Sequence, residues 1–238
     1  MLLEWDGTPD CAERIVRTNV LSSPSRYRAL DVVTRTFGPR CVHSDPPDLW
    51  RVLRALEQAG WSQVALLPIH YYAAAAAEPP LWDFVVEVLS EKHARGHHEV
   101  RVGDVFRFLD RSADSRFHGR RWSKEVSTRV ARGLLAALRD FGTLSGAVKK
   151  RISPLYLPSE SFAFIARVRW ELGARGQLAL TDPCWRLFFL SETAVERLFL
   201  EAHQRKLLTY LAAGSVIRID FPGASLEEYT RELAQRTH

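Results

Sequence analysis

The sequence predicts a mainly α protein: an N-terminal helical bundle over residues 1–98, followed over 99–238 by a winged-helix-like region with small β-hairpin elements. Three observations predict it. Apolar residues recur at helical spacing through most of the chain. β-leaning residues are confined to short stretches after Gly142 and around VIRIDF. With 46% apolar residues and seven Trp in 238 positions, the chain has the material for a packed core.

The bundle is expected from five helical stretches separated by Pro and Gly. Asp10 to Leu21 is the first and Ser25 to Thr36 the second, with Ser25 as its cap. Pro46-Pro47 opens a third, in which Leu49, Val52, Leu53 and Leu56 form one stripe and Gly60 is the stop. Ser62 to Ala77 holds the greasiest run, VALLPIHYYAAAAA, broken by Pro68 and His70. It is shorter than the roughly 20 residues that span a bilayer, so it reads as a buried helix. Pro79-Pro80 opens the fifth, which ends at Gly96.

Beyond residue 98 a first unit is expected over 99–158 and a second over 159–238. Val102 to Asp110 reads as a short helix, RSADSRFHGRR as a polar connection, and Ser123 to Phe141 as a long helix capped by Ser123 and stopped by Gly142. TLSGAVKKRISPLYLP leans toward β structure. Short helix, turn, long helix and basic hairpin is the order of a winged helix-turn-helix. In the second unit, Ser159 to Gly173 and Glu192 to Leu211 read as helices and Val216 to Phe221 as a strand. SLEEYTRELAQ closes as a helix with Ser225 and Glu228 in a capping box. The helix and strand from Glu192 onward repeat the winged order faintly.

Charge is concentrated in one place. Between Arg111 and Arg151 stand eleven bases and three acids (Asp114, Glu125 and Asp140), a net of +8. The remaining chain has 22 bases and 25 acids, a net of −3, so this segment alone makes the protein basic at +5 overall. On a helical wheel Val126, Val130, Leu134, Ala137, Leu138 and Phe141 form the expected core side of the long helix. Thr128, Arg132, Leu135 and Arg139 lie opposite, flanked by Lys124 and Arg129.

Such a helix fits the major groove of duplex DNA, and Arg offers paired donors to phosphate or guanine. The residues expected to bind DNA are Arg116, Arg120, Arg121, Lys124, Ser127, Thr128, Arg129, Arg132, Arg139 and the Lys149, Lys150, Arg151 run. The same face is also read as an ordinary solvated surface, or as a protein-docking face, for which an outward Leu135 is suited.

No chemistry-bearing motif stands beside it: no Walker A loop, GxGxxG after a strand, GxSxG or HExxH. His93, His97 and His98 cluster without a completing Cys or acid pair and read as solvated. Asp182, Glu192 and Glu196 read as acids near helix starts. The expectation is a protein that is not an enzyme and uses no cofactor or metal. Cys11, Cys41 and Cys184 are far apart, which fits small core thiols in a reducing cytoplasm. The opening MLLEWDGTPD carries acids where a secretion signal carries Lys or Arg. A cytoplasmic protein with no membrane partner is expected.

Three stretches, TNVLSSPSRYRALDVVTRTF, WSKEVSTRVARGLLAALRDFGTLSGAVKKRISP and WRLFFLSETAVERLFL with GSVIRIDFPGASLEEY, carry a resemblance. In this order, across most of the chain, the sequence resembles the BrxA family of the BREX (bacteriophage exclusion) phage-defence systems. The resemblance implies a helical bundle with winged-helix-like parts, a bacterial cytoplasmic setting beside other BREX proteins, and binding to double-stranded DNA without catalysis. The helix from Ser123 and the following KKR match the part that looks like a DNA-reading module. Arg26, Arg28 and Arg35 in the first stretch offer a second basic strip.

The expected function is therefore a non-enzymatic DNA-binding accessory protein of a defence system, with phosphate contacts dominating. The alternatives are a protein–protein adaptor of the defence complex and a transcription regulator of its own operon. RNA binding by the bundle is a further one.

Overall fold

The computed structural model describes residues 1–115, 122–214 and 216–235. The helices and strands follow in order as α1 (Cys11–Thr18), α2 (Arg26–Asp31), α3 (Leu49–Gln58), α4 (Gln63–Ala77), α5 (Pro79–Asp83), α6 (Ser90–Ala94), β1 (Glu99–Val100), α7 (Val102–Ser115) and α8 (Lys124–Asp140). Then come β2 (Leu144–Ser145), β3 (Lys150–Ile152), α9 (Ser159–Glu171), α10 (Gln177–Thr181), α11 (Glu192–Gln204), β4 (Thr209–Ala213), β5 (Val216–Asp220) and α12 (Leu226–Gln235). Wider π turns extend α2 over Val32–Val42 and join α5 to α6 over Phe84–Leu89, and a 3-10 segment spans Pro183–Phe188. The protein is mainly α, and the sheets among the described residues are small and antiparallel.

Packing divides the chain into two compact units, both discontinuous in sequence. One comprises Met1–Ala77, Pro158–Leu180 and Glu196–His238, the other Glu78–Leu157 and Thr181–Val195.

In the first unit α9 packs on α4 and on α12, and α12 packs on α3. The alanines make this possible: Ala73, Ala74 and Ala75 are buried and let a neighbouring backbone approach closely. On α9, Phe162, Ala163, Phe164, Ile165 and Val168 are fully buried, and the Ser161 hydroxyl donates to the Ala65 carbonyl at 2.6 Å. Pro68 does not break α4. Proline frees the carbonyl four residues earlier, and that residue, Val64, is exposed in the first turn of the helix, where water can satisfy it.

The expected helix from Glu192 to Leu211 is shorter. It ends at Gln204, and Thr209–Ala213 is strand β4, paired antiparallel with β5. The turn between them places Lys206 in the left-handed region, φ 60°, with its N–H on the His203 carbonyl. No glycine marks this stop, so the sequence hides it. Tyr210 then stacks on Phe199, ring centroids 5.5 Å apart, and donates its hydroxyl to Glu196 at 3.1 Å. The capping box of α12 forms with one change: the Glu228 N–H donates to the Ser225 hydroxyl, while the Glu228 carboxylate accepts from the Ala224 N–H rather than from Ser225.

In the second unit α7 packs on α8, and β2 packs on α8. The short β1, ahead of α7, joins β2 and β3 in a three-stranded antiparallel sheet of order β1-β3-β2. Glu99 faces Arg151, and Leu144 faces Ile152. Helix α7 runs five residues past Asp110, so it takes up RSADS, which the sequence placed in the connection. The three cysteines are buried free thiols. Among the described residues, no helix is long and apolar enough to cross a membrane, and no group of three or more His, Cys, Asp or Glu is arranged to hold a metal ion.

Candidate nucleic-acid interface

Helix α8 begins as its sequence dictates: Ser123 is extended and its hydroxyl accepts from the Val126 N–H at 3.4 Å. The buried face consists of Ala131, Leu134, Leu135 and Leu138, at spacings of three, one and three. Val126, Val130, Ala137 and Phe141, expected in the core, are only half-buried. Leu134 and Leu138 are common to both faces, and the buried face is turned by roughly 80° from the expected wheel. Leu135, expected outward, is 3% exposed. Both α7 and β2 pack on α8.

Lys124, Arg129 and Arg132 are exposed, while Ser127 and Thr128 are half-buried flanks. Lys124, Glu125, Thr128, Arg129 and Arg132 line an open concavity of about 570 Å³ on that face. Thr128 donates its hydroxyl to the Lys124 carbonyl at 2.7 Å, so it offers outward an acceptor and a methyl group. The acid Glu125 belongs to the helix start. Its own N–H and the Ser123 hydroxyl hold its carboxyl below the usual range, so it is an anion spent on the cap. Arg139 is exposed but bridges Asp140, at 2.9 Å from its terminal nitrogen.

The three bases of the hairpin divide their work. Lys150 donates to the Ala147 carbonyl at 2.9 Å and closes the turn. Lys149 and Arg151 are exposed. Arg151 stands opposite Glu99 and Ser145 in the sheet. Glu99 is held below its usual carboxyl range first by Arg101, which donates to it at 2.8 Å, with Lys149 contributing. Among the described residues, Lys124, Arg129, Arg132, Lys149 and Arg151 form no salt bridge, although Lys149 stands near enough to Glu99 to lower its carboxyl pKa. Arg116, Arg120 and Arg121 lie outside the described residues.

Sequence reasoning missed two supports. Asp104 is a buried acid that ties the start of α7 to Lys92, Arg101 and Arg107; the only signal was an acid in the first turn of a helix. The strand β1 is two residues long and carries no pattern of its own, yet it supplies the third strand of the sheet.

No curated protein and no solved structure matches the chain. The family model of BrxA matches residues 4–169, the larger part of the sequence, and the match spans the whole of α8 and the β2–β3 hairpin. On that match the chain belongs to the BrxA family, the setting of which is BREX phage defence.

Proposed function

We propose that the protein is a non-enzymatic accessory protein of a cytoplasmic BREX system that binds double-stranded DNA through α8 and the β2–β3 hairpin, mainly by phosphate contacts. One observation carries the reading. Exposed Lys124, Arg129 and Arg132 line an open concavity on α8, and the hairpin that follows adds exposed Lys149 and Arg151, none of them in a salt bridge among the described residues. Unneutralised cations are what a phosphate backbone rewards, through released counterions. The order β1, α7, α8, β2, β3 with β3 central supports a winged-helix module, with α8 as the helix for the major groove. Leu135, the residue that favoured a protein-docking face, is in the core.

The test is fluorescence anisotropy on a labelled duplex across a salt series, with single-stranded DNA and RNA as controls. The expected result is duplex binding whose log affinity falls with log salt by about 0.9 per phosphate neutralised. Arg129→Glu/Arg132→Glu and Lys149→Glu/Lys150→Glu bind more weakly and with shallower slopes. Absence of duplex binding at low salt, or unchanged binding in both variants, overturns the reading.

A further inference from the structure

Two features lie outside the duplex surface: an acid-edged hollow and an exposed valine. The hollow, of about 490 Å³, opens where the starts of α3 and α12 meet the end of α9, all in the first unit. Buried Val52 and half-buried Leu172 and Leu226 make its lining apolar, and exposed acids edge it. Asp48 holds Arg51 at 3.7 Å, and Glu171 holds the buried Arg167 at 2.8 Å. Asp45 and Glu227 form no salt bridge among the described residues. An acid at a helix start accounts for Glu227, but Asp45 precedes α3 and lies outside any helix. The valine is Val148, at the tip of the β2–β3 hairpin. It is 93% exposed, the most exposed of the large apolar residues described, and exposed Lys149 follows it. The turn is narrow: Gly146 has φ +88°, and a Cβ there would collide with the Lys149 carbonyl oxygen. Lys150 Nζ fastens the Ala147 carbonyl at 2.9 Å.

We propose that the hairpin tip of one copy seats in this hollow on a second copy, with Val148 against the apolar lining and Lys149 between Asp45 and Glu227. The contact joins two different patches. Each copy therefore keeps a tip or a hollow to offer, and copies add head to tail. An exposed valine gains by leaving water only in an apolar site, and the lysine beside it needs a carboxylate there. The hollow supplies both together. The charge of the whole chain points the same way. The segment from Arg111 to Arg151 carries +8 and the remainder −3, so the basic segment of one copy attracts the acidic remainder of another. A contact as small as one hairpin tip is weak, so it is expressed at high protein concentration. The proposal does not rest on duplex binding; Lys149 is the residue that the two readings share.

The experiment is sedimentation velocity of the full chain over a concentration series, without DNA. At about 50 mM salt the average mass is expected to rise above that of one chain as concentration rises, and at about 500 mM to fall back toward it, because exposed ion pairs are screened. Val148→Ser/Lys149→Gln blunts the tip, and Asp45→Lys/Glu227→Lys closes the hollow to a cation. Each variant, changed only at exposed positions, is expected to stay a single chain on its own. Mixed in equal amounts they are expected to form a dimer and nothing larger, because the first still offers a hollow and the second a tip. Val148→Ala keeps every charge and is expected to weaken wild-type association about fivefold, which charge attraction alone does not produce. The proposal is overturned if the variants associate on their own as the wild type does, if their mixture stays at one chain, or if Val148→Ala changes nothing. A wild type that remains a single chain at low salt overturns it too, and the hollow then belongs to a basic segment of a different protein. Duplex binding stands or falls by its own salt series.

Discussion

Lys92 in α6 donates to the carboxylate of Asp104 in α7 at 3.0 Å, and this pair anchors the start of α7. Asp104 is 7% exposed. It also accepts from the Arg101 N–H at 2.9 Å and from Arg107. Burial alone pushes its carboxyl up, but the Arg101 N–H, Lys92 and Arg107 together outweigh it and leave the carboxyl below its ordinary range. A depressed carboxyl stabilises the fold above its unfolded value, near pH 4, and that contribution is lost as pH falls through the lower folded value. Asp104→Asn is expected to cost about 2 kcal/mol at neutral pH, because it leaves the Lys92 ammonium without its carboxylate. The same substitution removes part of the acid limb of unfolding below pH 4. Urea denaturation of the full chain, followed by circular dichroism at pH 7 and pH 3.5, measures both effects.

Leu135 separates a core role from a docking role. It is in the buried stripe of α8 with Ala131, Leu134 and Leu138. Leu135→Ala therefore opens a cavity and is expected to cost about 2–4 kcal/mol of stability. Arg132→Ala, on the exposed face, is expected to leave stability within about 0.5 kcal/mol and to act on duplex affinity. If Leu135→Ala were neutral in thermal unfolding, the rotation of α8 described above would be wrong.

The distance between what the sequence declares and what the structure adds is seen best in α8. Its limits are written locally: Ser123 caps it and Gly142, at φ +81°, follows its end. Charge concentration is a sum over residues and needs no fold. The facing of the helix is different, because it depends on which neighbours press on it. The wheel has apolar residues on both Val126–Val130 and Ala131–Leu135 lines, and only the packing of α7 and β2 decides between them. The end of α11 was hidden for a related reason. Lys206 adopts a left-handed conformation that glycine usually signals, so the helical pattern ran on into β4. The burial of Asp104 and the pairing of β1 are tertiary facts with no periodicity to announce them.

The two lysines of the hairpin are expected to differ although they are adjacent. Lys149 is exposed and free to meet a phosphate, whereas Lys150 is committed to the Ala147 carbonyl. Lys149→Ala is expected to lower duplex affinity and to reduce the salt slope by about one. Lys150→Ala is expected to change the slope less and to loosen the turn, read as faster amide exchange at Ile152 and Ser153. Equal slopes for the two variants, with unchanged exchange, would mean that the carbonyl contact does not organise the hairpin.

His93 gives the second unit a pH dependence distinct from that of Asp104. Its ring lies 5.2 Å from that of His98 and 5.1 Å from that of Phe189. Its Nδ1 is buried and has no hydrogen-bond partner among the described residues. Burial first, and the neighbouring His98 second, push its pKa below the ordinary 6.5. The folded protein therefore resists a proton that the unfolded chain accepts. Stability is full above about pH 6.5 and falls as pH drops from there toward the lowered folded value. The His98 carbonyl accepts the Ile152 N–H at 2.8 Å, so the loss is transmitted to β3 and the hairpin base. His93→Phe keeps a ring against Phe189 and removes the titration. Urea midpoints of the wild type are expected to fall between pH 7.5 and 5.5, and those of the variant to fall less. Amide exchange at Ile152 should accelerate over the same interval in the wild type alone. Parallel midpoints in the two proteins would assign the dependence to another histidine, because Asp104 titrates well below this window.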